Sequence, residues 1–222
     1  MQITPEDQAK VAAAIRAAEA RTDGEIAAIV SPASDDYADA VLHWALVVAL
    51  FPLALSAAFP SLLLWGVALI DGGWEEPSLR FLLTLLTIKC AIVFLIARWI
   101  FGRPAIRMAL VPAATKARRV RRRALMLFRA GTEQRTLSKT GVLLYLSLAE
   151  RRAEIVADAA IHARAPAEQW GEAMAALIAD VREGRPGDGI AAAIERIGAV
   201  LETHFPFTGS DPNELPDRLI EL

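Results

Sequence analysis

The chain has 222 residues, a formal net charge of −2 and 55% hydrophobic residues, with a mean hydropathy of +0.35. That is too apolar for a wholly solvated domain, and the length leaves room for one polar domain beside the apolar segments. The single cysteine, Cys90, excludes an intramolecular disulfide and a cysteine metal cluster.

The N-terminus reads as a capped helix. Thr4 offers a cap hydroxyl, Pro5 the first helical position, and Glu6 and Asp7 acids in the first turn, with Val11, Ile15 and Ala18 at helical spacing. Arg21-Thr22-Asp23-Gly24 ends it, and Glu25–Ser31 (EIAAIVS) suits a buried strand. Pro32–Asp39 is an acidic linker, and nothing in the first 40 residues has the pattern of a cleavable leader.

Two apolar runs follow, Val41–Ile70 and Leu79–Phe101, joined by the polar link Asp71–Ser78. Each exceeds the roughly 20 residues a bilayer-spanning helix needs. They predict a transmembrane helical hairpin over 41–101, with spans about 42–70 and 79–101 and the first run serving as a retained targeting signal. Pro52 and Pro60 should kink the first helix or end it early. Trp44, Trp65, Trp74 and Trp99 fall near interface levels. Lys89 falls near the middle of the second run, where insertion costs about 2.5–3.5 kcal/mol. The first run has no acid to pair with this intramembrane charge. It serves function, snorkels, or contacts carbonyls near the kinked partner.

Charge sets the expected orientation. From Pro77 to Thr132 there is no Asp or Glu, yet twelve of the 24 Lys and Arg residues sit there. The link Asp71–Ser78 has no base, whereas a dense basic run follows the second span. The positive-inside rule then predicts a multi-pass protein of the bacterial inner membrane, with both termini cytoplasmic. Pro112–Ala130 reads as a basic stem helix closed by Gly131. Its Lys116, Arg118, Arg119, Arg121, Arg122 and Arg123 are candidates for anion or lipid-headgroup contact, or for docking acidic parts of the domain or of a partner. Nucleic acid is not an expected partner, because the run lacks interleaved aromatics and a recognised fold signature.

Gly141–Leu148 (GVLLYLSL) reads as a strand covered on both faces, with Tyr145 in the core. Glu150-Arg151-Arg152 is a turn, and Ala153–Asp158 the hairpin partner. A helix opening after Pro166 puts Trp170, Met174, Leu177 and Val181 on one face. Gly184–Gly189 (GRPGDG) lacks the Lys-Ser/Thr of a phosphate loop and follows a helix, so it reads as a break with Asp188 as N-cap. Ile190, Ile194, Ile197 and Leu201 stripe the last helix, and the proline-broken segment to Leu222 reads as an acidic arm packed on the domain. His162 and His204 have no partner at metal spacing, and H-E-x-x-H and G-x-S-x-G are absent.

The run RTLSKTGVLLYLSLAERRAEIVAD at Arg135–Asp158 resembles the central signature of the TPM-domain family, which includes thylakoid lumen phosphatase-like proteins and many bacterial membrane proteins. Gln169-Trp170, a GDGI turn and HFP at His204–Pro206 follow in the family's order. TDGEI at Thr22–Ile26 is similar to its first strand, and NELPD at Asn213–Asp217 to the tail of its membrane-embedded branch. The resemblance implies a three-layer α/β/α domain, here interrupted by the two-helix hairpin. Its parts would be residues 1–40, the remainder at 102–206 and a C-terminal arm at 207–222.

The resemblance also implies, for some members, acid phosphatase activity or divalent-ion binding tied to acids at strand ends. The matching positions are Glu25 and Asp158, with calcium or magnesium as the ion and Asp188 as a weaker match; Arg151 or Arg152 would supply an anion contact. Two functions stay open. One is a cytoplasm-facing interaction or assembly module that holds a protein partner at the lipid bilayer. The other is a metal-assisted phosphohydrolase, which requires Glu25 and Asp158 to face a common point. Two spans cannot enclose a transport pathway without oligomerising.

Overall fold

The computed structural model describes residues 3–71, 77–131, 140–165, 167–209 and 215–222. Trp74, the centre of the link Asp71–Ser78, residues 135–139 of the signature run, Pro166, Asn213 and Glu214 lie outside the described residues. In chain order the elements are α1 (Pro5–Glu19), β1 (Glu25–Ser31), α2 (Ala38–Ala58), α3 (Pro60–Asp71), α4 (Leu79–Phe101), α5 (Pro104–Leu110) and α6 (Ala113–Gly131). Then come β2 (Gly141–Ser147), β3 (Arg152–Ala157), α7 (Ala159–His162), α8 (Ala167–Arg182), α9 (Pro186–His204) and β4 (Leu219–Glu221). They form two compact units, one of Met1–Asp35 with Ala113–Leu222, the other of Asp36–Pro112. The second unit is therefore wider at both ends than the apolar core at 41–101.

The first unit is built on a sheet of order β3-β2-β1-β4, in which β1 runs parallel to β2 and β4 while β2 and β3 are antiparallel. Alternate residues face opposite layers. Ile26, Ala28, Val30, Val142, Leu144 and Leu146 pack with the apolar stripes of α1, α8 and α9. Ala27, Ile29, Leu143, Tyr145 and Val156 pack against Val120, Ala124 and Phe128 of α6. Burial on both faces is why EIAAIVS and GVLLYLS show no alternation in the sequence. Each fully buried Ile or Leu contributes roughly 1.5–3 kcal/mol. The domain is the expected three-layer α/β/α arrangement.

Helix ends follow the local chemistry. Thr4 accepts from the Asp7 N–H while the Asp7 carboxylate accepts from the Thr4 N–H, a reciprocal capping box. The GRPGDG stretch serves close packing. A Cβ at Gly187 would strike the Asp7 side chain, and one at Gly189 would lie 2.9 Å from the Leu177 carbonyl. Farther along α9, a Cβ at Gly198 would lie 2.6 Å from the Ala18 Cβ. The reading of Asp188 as N-cap is corrected: α9 starts earlier, with Arg185 at the cap and Pro186 at the first position. At the end of the tail, three residues form β4, which pairs with Ala28–Val30.

In the second unit, two helices are long and apolar enough to cross a membrane, Ala38–Ala58 and Leu79–Phe101. α2 and α4 pack together, and Leu46, Phe51, Leu83, Leu95 and Trp99 are exposed along them. The run expected as one helix to residue 70 is divided into two. Pro52 is accommodated inside α2, but the chain breaks at Phe59 and Pro60 opens the separate twelve-residue α3.

Candidate functional site

Both predicted metal-site acids lie at one end of the sheet. Glu25 is in register with Gly141, and Asp158 follows the Ala157–Val142 pair, so the two acids flank Gly141 from neighbouring strands. Each is buried and engaged with backbone. Glu25 Oε2 accepts from the Leu215 N–H at 3.1 Å, and Asp158 Oδ2 accepts from the Gly141 N–H at 2.9 Å. Among the described residues, no group of three His, Cys, Asp or Glu side chains could hold a metal ion. Calcium takes six to eight oxygens, and among the described residues Glu25 and Asp158 each already give one carboxylate oxygen to a backbone N–H. Asp188, the weaker match, pairs instead with Lys10 and Arg185.

Beside Glu25 is a pair that sequence reasoning missed. Glu19, Glu25 and Asp217 line a cleft of about 210 Å³ with Arg16, Thr22 and Phe207. Glu19 Oε1 accepts from the Ile26 N–H at 2.9 Å. Burial pushes the Glu19 carboxyl up to about 8 against that hydrogen bond, helped by the charges of Glu25 and Asp217 and by a side-chain bond to Asp217. Nothing local signals the pair, since 198 positions separate the two residues and only the fold joins them.

The opposite end of the sheet is basic. The turn between β2 and β3 places Arg151 in left-handed backbone, φ 50°, an uncommon conformation for a residue with a Cβ. Arg151 lines two clefts. One, of about 690 Å³, lies at the carboxyl ends of the parallel strands among Ser31, Pro32, Leu148 and Glu221. The other, of about 490 Å³, lies between β3 and α8; its apolar floor includes Leu146, Met174, Leu177 and Ile178, and Arg151, Arg152 and Arg182 line it. Glu150, also in this turn, is buried and accepts from the Ser147 hydroxyl and from the Ser34 N–H at 2.9 Å. Tyr145 is in the core as expected, with its hydroxyl 3.0 Å from Ser34 Oγ. Thus Arg151 and Arg152 lie at the far end of the strands from Glu25 and Asp158, and the four do not form one site.

The basic run is sorted by the turn of α6. Arg119 pairs with Asp35 at 3.0 Å and Arg121 with Glu154 at 3.7 Å. Arg118, Arg122 and Arg129 form an exposed stripe around Leu125 and Met126, while Lys116 and Arg123 are half-buried at its sides. In the second unit, Lys89 lines a groove of about 280 Å³ with Leu62, Gly66 and Val67 of α3. His162 is exposed and His204 half-buried in the last turn of α9.

A family model for the TPM domain matches residues 103–200. The NMR structure of the BA42 protein from the psychrophilic bacterium Bizionia argentinensis is similar in fold, with a TM-score of 0.57 at 17% identity, covering 100% of this chain and 97% of that one. No curated protein matches the chain.

Proposed function

Because the chain carries a TPM domain, we propose that it is a membrane-anchored, cytoplasm-facing TPM module that holds a protein partner at the bilayer. The cleft between β3 and α8 carries this reading: an apolar floor with Arg151, Arg152 and Arg182 around it, beside the edge strand of the sheet. Such a site takes an apolar side chain flanked by carboxylates, with the edge strand available for backbone pairing. The acids at the other end are spent on the chain's own N–H groups. The arginine bias after α4 supports cytoplasmic exposure of the domain.

The test is site-specific photocrosslinking in cells, with p-benzoylphenylalanine at Ile178 and, as control, at Glu172 on the exposed side of α8. A discrete adduct at Ile178 that is lost in Arg182→Ala and Arg151→Gly supports the cleft. An adduct that survives both substitutions, or none at all, sinks it.

A further inference from the structure

We propose that the outer face of α6 lies on an anionic lipid surface, with Arg118, Arg122 and Arg129 on headgroup phosphates and Met126 inserted among the acyl chains. The inner face is already committed, since Val120, Ala124 and Phe128 cover the sheet. The outer face is an arginine stripe, and Met126 at its centre is 54% exposed. Among the described residues Arg122 and Arg129 have no acidic partner, and Arg118 donates to the Thr115 hydroxyl at 3.3 Å. Interfacial helices have this composition: guanidinium groups flank an apolar centre, their stems lie along it, and the charges meet phosphate.

The occupant is argued from the same chain. α4 is long and apolar enough to cross a membrane and ends at Phe101, a short distance in sequence before α6 begins at Ala113. At that exit Trp99 is 67% exposed, and the Arg103 guanidinium lies over its ring at 4.3 Å, an aromatic and basic pair suited to headgroup level. Only the residues 102–112 separate α4 from α6 in sequence, and the charge of the outer face of α6 complements anionic lipid. The stripe also lacks stacked aromatics, as expected of a surface that meets lipid phosphates. This inference does not rest on the cleft between β3 and α8.

The experiment uses the full chain in nanodiscs, with Cys90→Ser as background and an environment-sensitive fluorophore on Met126→Cys. The control label is on Glu172→Cys. In discs containing phosphatidylglycerol, emission at position 126 should shift to the blue and be quenched by nitroxide lipids, while the control stays solvent-like. In pure phosphatidylcholine discs the shift should shrink. Each of Arg118→Glu, Arg122→Glu and Arg129→Glu should lower the docked-to-free ratio roughly fivefold or more. A blue shift independent of anionic lipid would mean a second copy or another protein covers the face, and overturns the proposal. So does emission at 126 that matches the control. Far-UV circular dichroism of each variant confirms that the helix persists, and Arg182→Ala should leave the label's response unchanged.

Discussion

Glu19 and Asp217 line one small cleft at the start of β1, next to the backbone bond from Leu215 to Glu25. Burial holds the Glu19 carboxyl at about 8, so at neutral pH the pair carries the proton it needs. The unfolded chain releases that proton near 4.5, so between 4.5 and 8 the folded chain binds more protons. Stability from this pair is full below about 4.5 and is lost as pH rises through about 8. Allowing for partial solvent access, the loss should be about 2 kcal/mol. Thermal unfolding across this range should show the decline, and Glu19→Gln should flatten it.

Gly198 is one of the two glycines at which α9 packs closely on α1. Gly198→Val should destabilise the domain by roughly 1–3 kcal/mol, because the branched side chain cannot fit against Ala18. Chemical denaturation should show a lower midpoint at unchanged slope. Pairing it with Ala18→Gly should recover part of the loss.

Glu150 ties the turn after β2 to the segment that follows β1. Its removal in Glu150→Ala leaves the Ser147 hydroxyl and Ser34 N–H without this acceptor, and should cost about 1–3 kcal/mol. Tyr145→Phe keeps the ring in the core and removes only the contact with Ser34, so about 1 kcal/mol is expected. Equal losses in the two variants would contradict this ranking.

Arg151 sets side-chain chemistry against backbone comfort. Arg151→Gly relieves a left-handed conformation and should raise stability by up to about 1 kcal/mol. The same substitution should abolish the adduct at Ile178. A stability gain with adduct loss identifies a residue held there for its charge.

Millimolar calcium or magnesium should leave the unfolding temperature unchanged. A resident ion at 100 times its dissociation constant would add ~2.7 kcal/mol, which thermal unfolding resolves easily. A rise abolished by Asp158→Asn would restore the metal reading of Glu25 and Asp158.

The fold was legible where burial is strongest. The unbroken apolar runs marked β1 and β2, the Thr4 hydroxyl and Pro5 marked the start of α1, and isoleucine spacing marked α9. β4 was illegible because three residues in a proline-broken tail carry no period; only the edge of β1 makes them a strand. Asp188 was misread because Pro186, not an acid, sets the start of α9. In the site, the bases of α6 were visible as a run. Their division into ion-paired arginines and an outer stripe depends on what the helix packs against. Arg182 gave no signal, since a base in a last helical turn is ordinary.

The position of the hairpin in the chain also governs how the protein is made. β1 leaves the ribosome before α2 and α4, yet its neighbours β2 and β4 follow only after those apolar helices. At roughly 5–20 residues per second, EIAAIVS waits on the order of ten seconds for its first neighbour. During that time it is an apolar segment whose one charge is Glu25 at its start, and its backbone groups have no strand to pair with, as in segments that aggregate. The nascent chain is therefore most exposed to misassembly while its two long apolar helices are being made, and mutations that delay the completion of that stretch should reduce yield without changing the stability of the finished protein.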